Sequence, residues 1–357
     1  MPRVSVLVNT YNHERFIAQA IESVCAQTFP ASEMEVVVVD DGSTDRTPEI
    51  VQKFAPRARL LRKKNGGQAS AFNAAIPELH GELIAFLDGD DWWAPEKLSA
   101  VVEAFEKNPG IPAVGHAFFD TDAGGTPTEL VTLENQARIT LESLEEVRRA
   151  AVGKCLLATS KLTVRRFVLE RLGPIPEELF SCADEPVMDA ALALGGAILL
   201  EQPLCYYRYH SANMFGFDSA DPVRNRRRYE VQQFLSDYIP RILARLGVAP
   251  ELISVFLQRA ELDIERFGGL HGDGGRRQVF RAEMKGFRQE FKNPTAGYLI
   301  FKAAVGALAL ALPPKQFHRV RNWYAKKNLR RFREAIGHAE PIVPEICRRI
   351  PLAKQNQ

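Results

Sequence analysis

The sequence predicts an α/β fold built on an open, right-handed sheet. Strand and helix patterns alternate through the first hundred residues, which is the order expected when helices connect neighbouring parallel strands. Val36–Val39 is an uninterrupted apolar run, typical of a parallel strand that is covered on both faces. Acidic residues directly follow two of the strands. Ligands bind beyond the carboxyl ends of strands in such sheets, so we expect the functional site there.

The remaining elements of this part follow in order from local signals. Val4–Val8 reads as a strand, and apolar residues at helical spacing predict a helix over residues 15–27. Thr47 is the expected N-cap of a second helix, with Pro48 at its first position. A weak strand, a helix after a glycine pair and a strong strand follow, at Arg59–Arg62, Gln68–Ile76 and Leu83–Leu87.

Residues 112–215 show a less regular pattern. We predict a turn over Thr121–Thr128, short strands at 161–164 and 197–200, and a helix over Asp184–Leu194. Long basic helical patterns with few strand signals begin after Asp221. The predicted domains are therefore an α/β domain over 1–220 and a basic helical C-terminal region over 221–357.

The composition is that of a globular protein. The 357 residues are 46% hydrophobic and 25% charged, which excludes a disordered chain, a collagen-like repeat and a disulfide scaffold. The net charge of +2 conceals an asymmetry, because residues 1–220 hold 20 Lys/Arg against 31 Asp/Glu, whereas residues 221–357 hold 26 against 13. We therefore expect two surfaces of opposite charge.

The five cysteines lack metal-ligand spacing, and we expect reduced thiols in a cytoplasmic protein. We recognise no signal peptide at the N-terminus and no apolar run of the roughly 18 residues that a membrane-spanning helix needs.

The segment around Asp88 carries the sharpest chemical signal. A buried apolar strand leads into Asp88-Gly89-Asp90-Asp91, so three carboxylates lie within four residues. Carboxylates this close repel one another unless a cation joins them, and oxygen ligands suit Mg²⁺ or Mn²⁺ shared with a diphosphate. The alternative is a solvated acidic turn.

Three other turns follow strands. Thr10 and Tyr11 are able to hydrogen-bond to a base and stack on it, or they only form a turn. Asp40 and Asp41 either accept from a base or a ribose, or lead into the next helix. Asn65 precedes a glycine pair, where the backbone can approach a ligand and a helix N-terminus favours an anion; the alternative is a plain loop.

Two later segments hold candidate groups. Asp184 and Glu185 at a helix start either stabilise the helix dipole or supply a general base. Arg208 and His210 lie two residues apart on a strand and so face the same side, where they could contact phosphate or metal; a structural role is the alternative.

Taken in this order, the motifs closely resemble those of inverting glycosyltransferases of family 2. The resemblance covers roughly residues 2–215. It is carried by Val-Ser-Val-Leu-Val-Asn-Thr-Tyr-Asn at the start, Val-Val-Asp-Asp-Gly-Ser-Thr-Asp, Phe-Leu-Asp-Gly-Asp-Asp and Tyr-Arg-x-His-x-x-Asn. It implies the GT-A fold of nucleotide-diphospho-sugar transferases, a Rossmann-like mixed sheet flanked by helices, here followed by a helical C-terminal extension.

The resemblance also implies roles for single residues. Thr10, Tyr11 and Asp41 would hold the nucleobase, usually uracil or thymine, with Asp88 near the ribose. Asn65 joins this nucleotide-binding set from its place in the glycine turn. Asp90, with His210 as a further ligand, would hold Mn²⁺ or Mg²⁺. The expected neighbours of the diphosphate and the acceptor are Asp91, Arg208 and His210.

The acid before the Asp184 helix matches the position of the family's catalytic base. The sequence reads Ala-Asp-Glu-Pro where a Glu-Asp pair is commoner, so Asp184 is our first candidate and Glu185 the alternative. The base would deprotonate an acceptor hydroxyl that attacks the anomeric carbon with inversion. We find no Gln-x-x-Arg-Trp motif typical of processive synthases, which favours a hexosyltransferase-like enzyme that transfers one sugar from a UDP- or dTDP-linked donor.

The C-terminal region determines the expected partners. Its basic clusters flank the apolar stretch Tyr298–Leu312, a combination that indicates binding to an anionic membrane surface through residues 298–335, at the inner face of the membrane. The alternative is a packed helical subdomain with a solvated charged face. No nucleic-acid motif accompanies the charge, and we expect no nucleic-acid partner. A carbohydrate or lipid-linked acceptor in polysaccharide biosynthesis would fit.

Two other functions remain open. A catalytically inactive module that binds nucleotide sugars or acts as a scaffold would share the sheet, although its acidic motifs would be expected to degrade. A sugar nucleotidyltransferase would normally carry a Gly-rich loop with Arg or Lys after the first strand, and Asn9–Asn12 is not such a loop.

Overall fold

A computed structural model of the chain describes residues 1–210, 213, 222–271, 275–290, 296–317, 319–320 and 347–352. The chain divides into two compact units. The first unit takes in residues 1–216, 237–253 and 345–357, and the second takes in residues 217–236 and 254–344. The boundary predicted near residue 220 stays a prediction, since the chain passes between the two units more than once.

A single mixed sheet forms the first unit. In the described residues it has eleven strands, with the order β11-β7-β6-β9-β4-β1-β2-β3 and with β10 paired to β5, β6 and β8. The strands are β1 (Val4–Thr10), β2 (Met34–Asp40), β3 (Arg59–Arg62), β4 (Leu83–Asp88), β5 (Trp92–Trp93), β6 (Ala113–Thr121), β7 (Pro127–Thr132), β8 (Ala137–Ile139), β9 (Thr163–Arg165), β10 (Ala197–Arg208) and β11 (Arg348–Pro351).

The four strands predicted from the first hundred residues form the parallel part of this sheet. β1 lies between β2 and β4, and β3 pairs with the outer side of β2. Val36–Val39 of β2 and Leu83–Leu87 of β4 are buried, as their uninterrupted apolar sequences require. β9 runs antiparallel to both β4 and β6, and β10 runs parallel to β6. The mixed sheet flanked by helices confirms the predicted fold class.

Seven α-helices connect the strands in the described part of the first unit. They are α1 (Ile17–Cys25), α2 (Thr47–Gln52), α3 (Gln68–Ala75), α4 (Lys97–Lys107), α5 (Leu144–Gly153), α6 (Arg166–Leu172) and α7 (Asp184–Ala193). Helix α1 buries the apolar face that its spacing predicts, Ile17, Ala20, Ile21 and Val24. The N-cap prediction for Thr47 was wrong: the helix begins at Thr47 itself, with Arg46 at the N-cap, and the Thr47 hydroxyl instead accepts a hydrogen bond from the backbone N–H of His13 at 2.9 Å.

Long helices make up the described part of the second unit. Helices α8 (Pro222–Arg245) and α9 (Pro250–His271) contribute residues to both units, whereas α10 (Gly275–Glu290) and α11 (Ala296–Ala311) belong to the second. Val279 of α10, Ala309 of α11 and Phe317 form its buried apolar cluster. Among the helices described, none is long and apolar enough to cross a membrane.

Candidate active site

Sheet register brings the sequence motifs to one edge. Thr10 at the end of β1 pairs with Asp40 at the end of β2, and Asn9 pairs with Asp88 at the end of β4. The residues that follow β2 and β4 remain hydrogen-bonded to β1. The Asp41 N–H donates to the Thr10 carbonyl at 2.9 Å, and the Gly89 N–H donates to the Asn9 carbonyl at 2.8 Å. The carboxyl ends of the parallel strands therefore assemble the first three motifs.

Asp41 anchors the glycine turn that follows β3. Its buried carboxylate accepts hydrogen bonds from the backbone N–H groups of Gly66 at 3.0 Å and Gly67 at 2.7 Å, and from Lys63 Nζ at 2.8 Å. Asn65 Nδ2 donates to the Asp41 carbonyl at 3.0 Å. The glycine turn and the acid after β2, two separate candidates in the sequence, thus form one structure.

Thr10 and Tyr11 occupy different environments. Thr10 is fully buried, and its hydroxyl lies 3.2 Å from Nδ1 of His13, whereas Tyr11 is 41% exposed. A Cβ added to Gly89 would lie 2.7 Å from the Thr10 hydroxyl, so only glycine allows the acidic turn to approach β1 this closely. The exposed Tyr11 ring remains available for stacking.

Burial and carboxylate crowding dominate the electrostatics of Asp88. Burial raises the pKa of Asp88 well above its usual range, and the charges of Asp90, Asp91 and Asp184 raise it further. Gln68 Nε2 donates to Asp88 Oδ1 at 3.3 Å. The carboxylates at this strand end therefore repel one another, and a cation among them would relieve that repulsion.

Asp90 faces two imidazoles. Its Oδ2 lies 2.9 Å from Nε2 of His210 and 3.9 Å from Nε2 of His13. Burial would raise the pKa of Asp90, but the two histidines outweigh it and hold the pKa below its usual range. Burial in turn lowers the pKa of His13. Asp90 is thus kept as a carboxylate beside two nitrogen ligands.

Asp91 points away from this pair. Ser160 Oγ donates to Asp91 Oδ2 at 2.5 Å, and the Arg208 N–H donates to Oδ1 at 2.8 Å. Burial, with the charge of Asp90, raises the pKa of Asp91 to about 7. Its contacts join the acidic turn to β10 and to the short helical turn before β9.

The guanidinium of Arg208 holds the acidic turn through hydrogen bonds. Nε donates to the Asp90 carbonyl at 2.9 Å, Nη1 to the Ala123 carbonyl at 3.1 Å and Nη2 to Gln19 Oε1 at 2.6 Å. The group also lies over the rings of Phe16 and Trp92, 4.7 Å and 4.5 Å from their centroids. These contacts hold the turn in place, and the phosphate contact expected for Arg208 stays a prediction.

The two candidate bases differ in their partners. Asp184 Oδ2 accepts from the Thr159 N–H at 2.8 Å and from its hydroxyl at 2.9 Å, and burial followed by the charge of Glu185 raises the pKa of Asp184. Glu185 Oε2 instead pairs with Lys154 Nζ at 2.5 Å. Of the two, Asp184 is the acid whose charge acts on Asp88 and helps to raise the pKa of Asp88.

Gln68 joins the acidic turn to helix α7. Its Nε2 donates to Asp88 and, at 3.3 Å, to the Thr159 hydroxyl, while its Oε1 accepts from the Ala183 N–H at 3.0 Å. Thr159 in turn binds Asp184. One amide thus fixes the separation between the Asp88 and Asp184 groups.

A divalent cation fits this arrangement if the ligand supplies most of its oxygens. In the described part of the chain, no group of three or more His, Cys, Asp or Glu is arranged to hold a metal without help. Mg²⁺ and related ions are commonly held by one or two carboxylates together with substrate phosphates. Asp90 and His210 match that pattern, and the crowded carboxylates beside them favour a cation.

Several residues of this site were not predicted. His13 directly follows the first motif, so its position after β1 is a signal that we did not use. Gln68 stood in the glycine turn without an assigned role. Thr159, Ser160 and Lys154 lie in a segment without recognisable motif chemistry, and only the fold brings them to Asp184, Asp91 and Glu185.

The chain is similar to known glycosyltransferases. The family model described as glycosyl transferase family 2 matches residues 5–157. An uncharacterized glycosyltransferase of Nostoc sp. (strain PCC 7120) is 31% identical over 283 residues, which span 75% of this chain and 87% of that protein.

Two solved structures share the fold. The structure of residues 1–349 of S. aureus TarS in complex with UDP-GlcNAc has a TM-score of 0.54 at 23% identity and covers 81% of this chain and 89% of its own. The mannosyltransferase PcManGT from Pyrobaculum calidifontis, in complex with GDP-Man and Mn²⁺, has a TM-score of 0.52 at 22% identity and covers 91% of this chain and 88% of its own. The GT-A expectation for the fold is thereby confirmed.

Proposed function

The chain belongs to glycosyltransferase family 2, and on that premise we propose that it moves one sugar from a UDP- or dTDP-linked donor to an acceptor hydroxyl with inversion. The observation that carries the proposal is the connection from Asp88 through Gln68 and Thr159 to Asp184. It links a crowded acidic turn, suited to a cation and a diphosphate, to a buried carboxylate suited to proton transfer.

Donor binding is assigned to the edge formed by β1, β2 and β4. In this proposal the exposed Tyr11 stacks on the base, and Thr10, Asp41 and Asn65 surround it. Asp88 lies nearer the ribose. The network from Asp41 to Gly66 and Gly67 supports this assignment, because it fixes the backbone of the glycine turn before the donor arrives. TarS was solved with UDP-GlcNAc and PcManGT with GDP-Man, so both support a nucleotide-diphospho-sugar donor, and TarS alone of the two supports a uridine one.

Asp184 acts as the general base in this proposal. It takes the proton of the acceptor hydroxyl, whose oxygen attacks the anomeric carbon from the face opposite the departing nucleoside diphosphate. Its raised pKa favours proton uptake, as a base requires. Glu185 is the alternative base, but its carboxylate already pairs with Lys154.

Asp90 and His210 would hold Mn²⁺ or Mg²⁺. When bound, the cation stabilises the negative charge that develops on the departing diphosphate. The residues themselves are positioned in advance: His13 and His210 keep Asp90 ionised, and Arg208 fixes the backbone of Asp90. Asp91 keeps the turn attached to β10. Mn²⁺ in the PcManGT complex is consistent with this assignment.

The second unit would bring the enzyme to a membrane surface that carries its acceptor, a lipid-linked sugar or other carbohydrate. Leu299 and Ile300 of α11 are 46% and 71% exposed, and Arg276, Arg277 and Arg281 of α10 are exposed in the same unit. Exposed apolar side chains and cations on the same unit suit an anionic lipid surface. Residues 318 and 321–335 of the predicted membrane segment lie outside the described residues.

The donor is found first by a thermal-shift screen. Nucleoside diphosphates and nucleotide sugars, each with and without Mn²⁺, should raise the melting temperature in proportion to affinity. A uridine or thymidine diphosphate that stabilises the protein more with Mn²⁺ than without it supports the proposed site. The same response in the Asp90→Ala variant would contradict the assignment of the cation to Asp90.

Turnover of that donor then tests mechanism and base together. Proton NMR of the product should show inversion, from an α-linked donor to a β-linked product; retained configuration would overturn the mechanism.

Asp184→Asn should lower kcat by at least about a hundredfold, a typical general-base contribution. Glu185→Gln should lower it much less, and the reverse ranking would make Glu185 the base. Full activity in both variants would reject the site, and no turnover by the parent protein would favour a binding module.

A further inference from the structure

Two cysteines that are distant in sequence meet in the first unit. The sulfur atoms of Cys155 and Cys347 lie 3.7 Å apart, although 192 residues separate the two positions in the chain. Cys155 is exposed and Cys347 partly exposed, so small oxidants reach both. The sulfurs are already in contact, and a disulfide requires them to close to about 2.0 Å.

Cys347 immediately precedes strand β11. β11 pairs with β7 at the edge of the sheet, and all four of its residues are exposed. Its ion pairs run from Arg349 to Glu129 at 2.6 Å and to the buried Asp120 at 2.8 Å, and from Arg348 to Glu134. A four-residue strand at the edge of a sheet pairs with one neighbour, so a covalent bond at Cys347 would add substantially to its attachment.

A chain of contacts through β6 connects β11 to the candidate site. Asp120, which Arg349 contacts, lies in register with Tyr207 of β10. The next residue along β10 is Arg208, which holds the acidic turn, and the Tyr209 N–H donates to the Thr121 carbonyl at 2.9 Å. Strands β7 and β6 thus lie between β11 and Arg208 of β10, which positions Asp90.

We propose that Cys155 and Cys347 form a reversible disulfide that fastens β11 to the helical turn Lys154–Leu157 when the thiol pool becomes oxidised. With glutathione disulfide as oxidant, the thiolate of Cys155 attacks one of its sulfurs and releases one glutathione. The thiolate of Cys347 then attacks the mixed disulfide and releases the second glutathione. Two protein thiols are oxidised to one disulfide, and one glutathione disulfide is reduced to two glutathione thiols. The inference does not depend on the proposed donor or mechanism.

Other cysteines provide the contrast. Burial raises the pKa of the Cys25 thiol and, more strongly, that of Cys205, which is fully buried. A raised pKa leaves less thiolate, the form that attacks disulfides. Cys25 is therefore a matched control, since its removal should leave the proposed bond unaffected.

Disulfide mapping tests the bond. The full-length protein is incubated with glutathione disulfide, blocked with iodoacetamide, digested without reductant and analysed by mass spectrometry. We expect one linked peptide pair containing Cys155 and Cys347, in the parent protein and in Cys25→Ser. Cys155→Ser and Cys347→Ser should instead carry glutathione on the remaining cysteine. Separate glutathione adducts on both cysteines of the parent protein, or Cys155 linked between two chains, would overturn the proposal.

Hydrogen exchange tests the consequence for β11. In the oxidised parent protein, amides of residues 348–350 and 352 should exchange at least about tenfold more slowly than in the reduced protein, because the bond disfavours detachment of the strand. Addition of dithiothreitol should restore fast exchange. Oxidised Cys155→Ser should exchange like the reduced parent protein. Equal exchange in the oxidised and reduced parent protein would show that the bond does not fasten the strand and would refute this part of the proposal.

Discussion

The three carboxylates of the acidic turn have different partners. Asp88 accepts a hydrogen bond from Gln68, and Asp90 lies near the imidazoles of His13 and His210. Asp91 accepts hydrogen bonds from the Ser160 hydroxyl and from the backbone N–H of Arg208. The sequence presents these acids as three equivalent charges. Only Asp90 lies beside nitrogen ligands, which makes it the strongest metal-ligand candidate of the three.

The buried Asp189 on helix α7 should make the stability of the protein depend on pH. It is 1% exposed, and Lys154 Nζ, 3.6 Å from its Oδ1, lies closer to Glu185. Two carboxylates therefore share one ammonium group. Burial is the main reason that the pKa of Asp189 rises to about 7. The folded state keeps a proton that the unfolded state releases above pH 4, so the contribution of Asp189 to stability falls as pH rises from about 4 to 7.

Asp189→Asn should remove this pH dependence. Relative to the parent protein, the variant should gain roughly 3 kcal/mol between pH 5 and pH 8, since about two units separate pH 5 from the folded-state pKa and each unit corresponds to about 1.4 kcal/mol. Urea unfolding at both pH values measures the difference. The exposed Glu170→Gln on α6 is the control and should show no such gain. The same stability change at pH 5 and pH 8 for Asp189→Asn would contradict the raised pKa.

Gly67→Ala should damage the turn that holds Asp41. Gly67 has φ of +88°, and a Cβ there would lie 2.6 Å from the Cα of Phe180, a backbone atom that cannot move aside easily. We expect a loss of at least about 2 kcal/mol in unfolding free energy and weaker nucleotide binding. Chemical denaturation and nucleotide titration measure the two effects. Gly110→Ala is the control, because nothing lies within 4 Å of its added Cβ. Equal stability of the two variants would refute the expectation.

At the scale of elements, strand β10 carries much of the site. The sequence predicts a strand over 197–200 and places Arg208 and His210 on a strand as well. In the structure one strand, β10, runs from Ala197 to Arg208, with register shifts against β6 on both sides of Pro203, and His210 lies beyond its end. Proline and two exposed polar residues interrupt the apolar pattern, which is why the two parts were not recognised as one strand. The second part of β10 delivers Arg208 to the acidic turn, and His210 follows it.

Arg208→Met should loosen β10 from that turn. The change removes the side-chain donors to Asp90, Ala123 and Gln19 and the stacking on Phe16 and Trp92, so we expect a loss of about 3 kcal/mol and a lower kcat. Arg208→Lys should recover little, because an ammonium lacks the planar fork of donors. Urea unfolding and turnover measure both. Arg46→Met, at a highly exposed ion pair, is the control. Full recovery by lysine would show that charge alone matters.

At the scale of the whole molecule, the chain is acidic over residues 1–220 and basic over residues 221–357. The basic part predicts membrane binding by the second unit. Ile300→Glu should reduce flotation with anionic lipid vesicles severalfold without changing stability, since Ile300 is 71% exposed. Vesicles of neutral lipid should bind weakly in every case, and high salt should weaken anionic binding. Leu144→Glu, on the first unit and 45% exposed, is the control. Equal flotation of the two variants would contradict a membrane-binding role for α11.

The sequence by itself determined the α/β class, the order of the central strands and helices, and the acids at the strand ends. Those features depend on apolar periodicity and turn chemistry, which neighbouring residues express locally. The tertiary structure alone decided which partner each acid receives: His13 and His210 for Asp90, Thr159 for Asp184, Lys154 for Glu185. It also decided the approach of Cys155 to Cys347 and the pairing of β11 with β7. These contacts join residues far apart in sequence, so sheet topology and burial set them, and no local pattern carries that information.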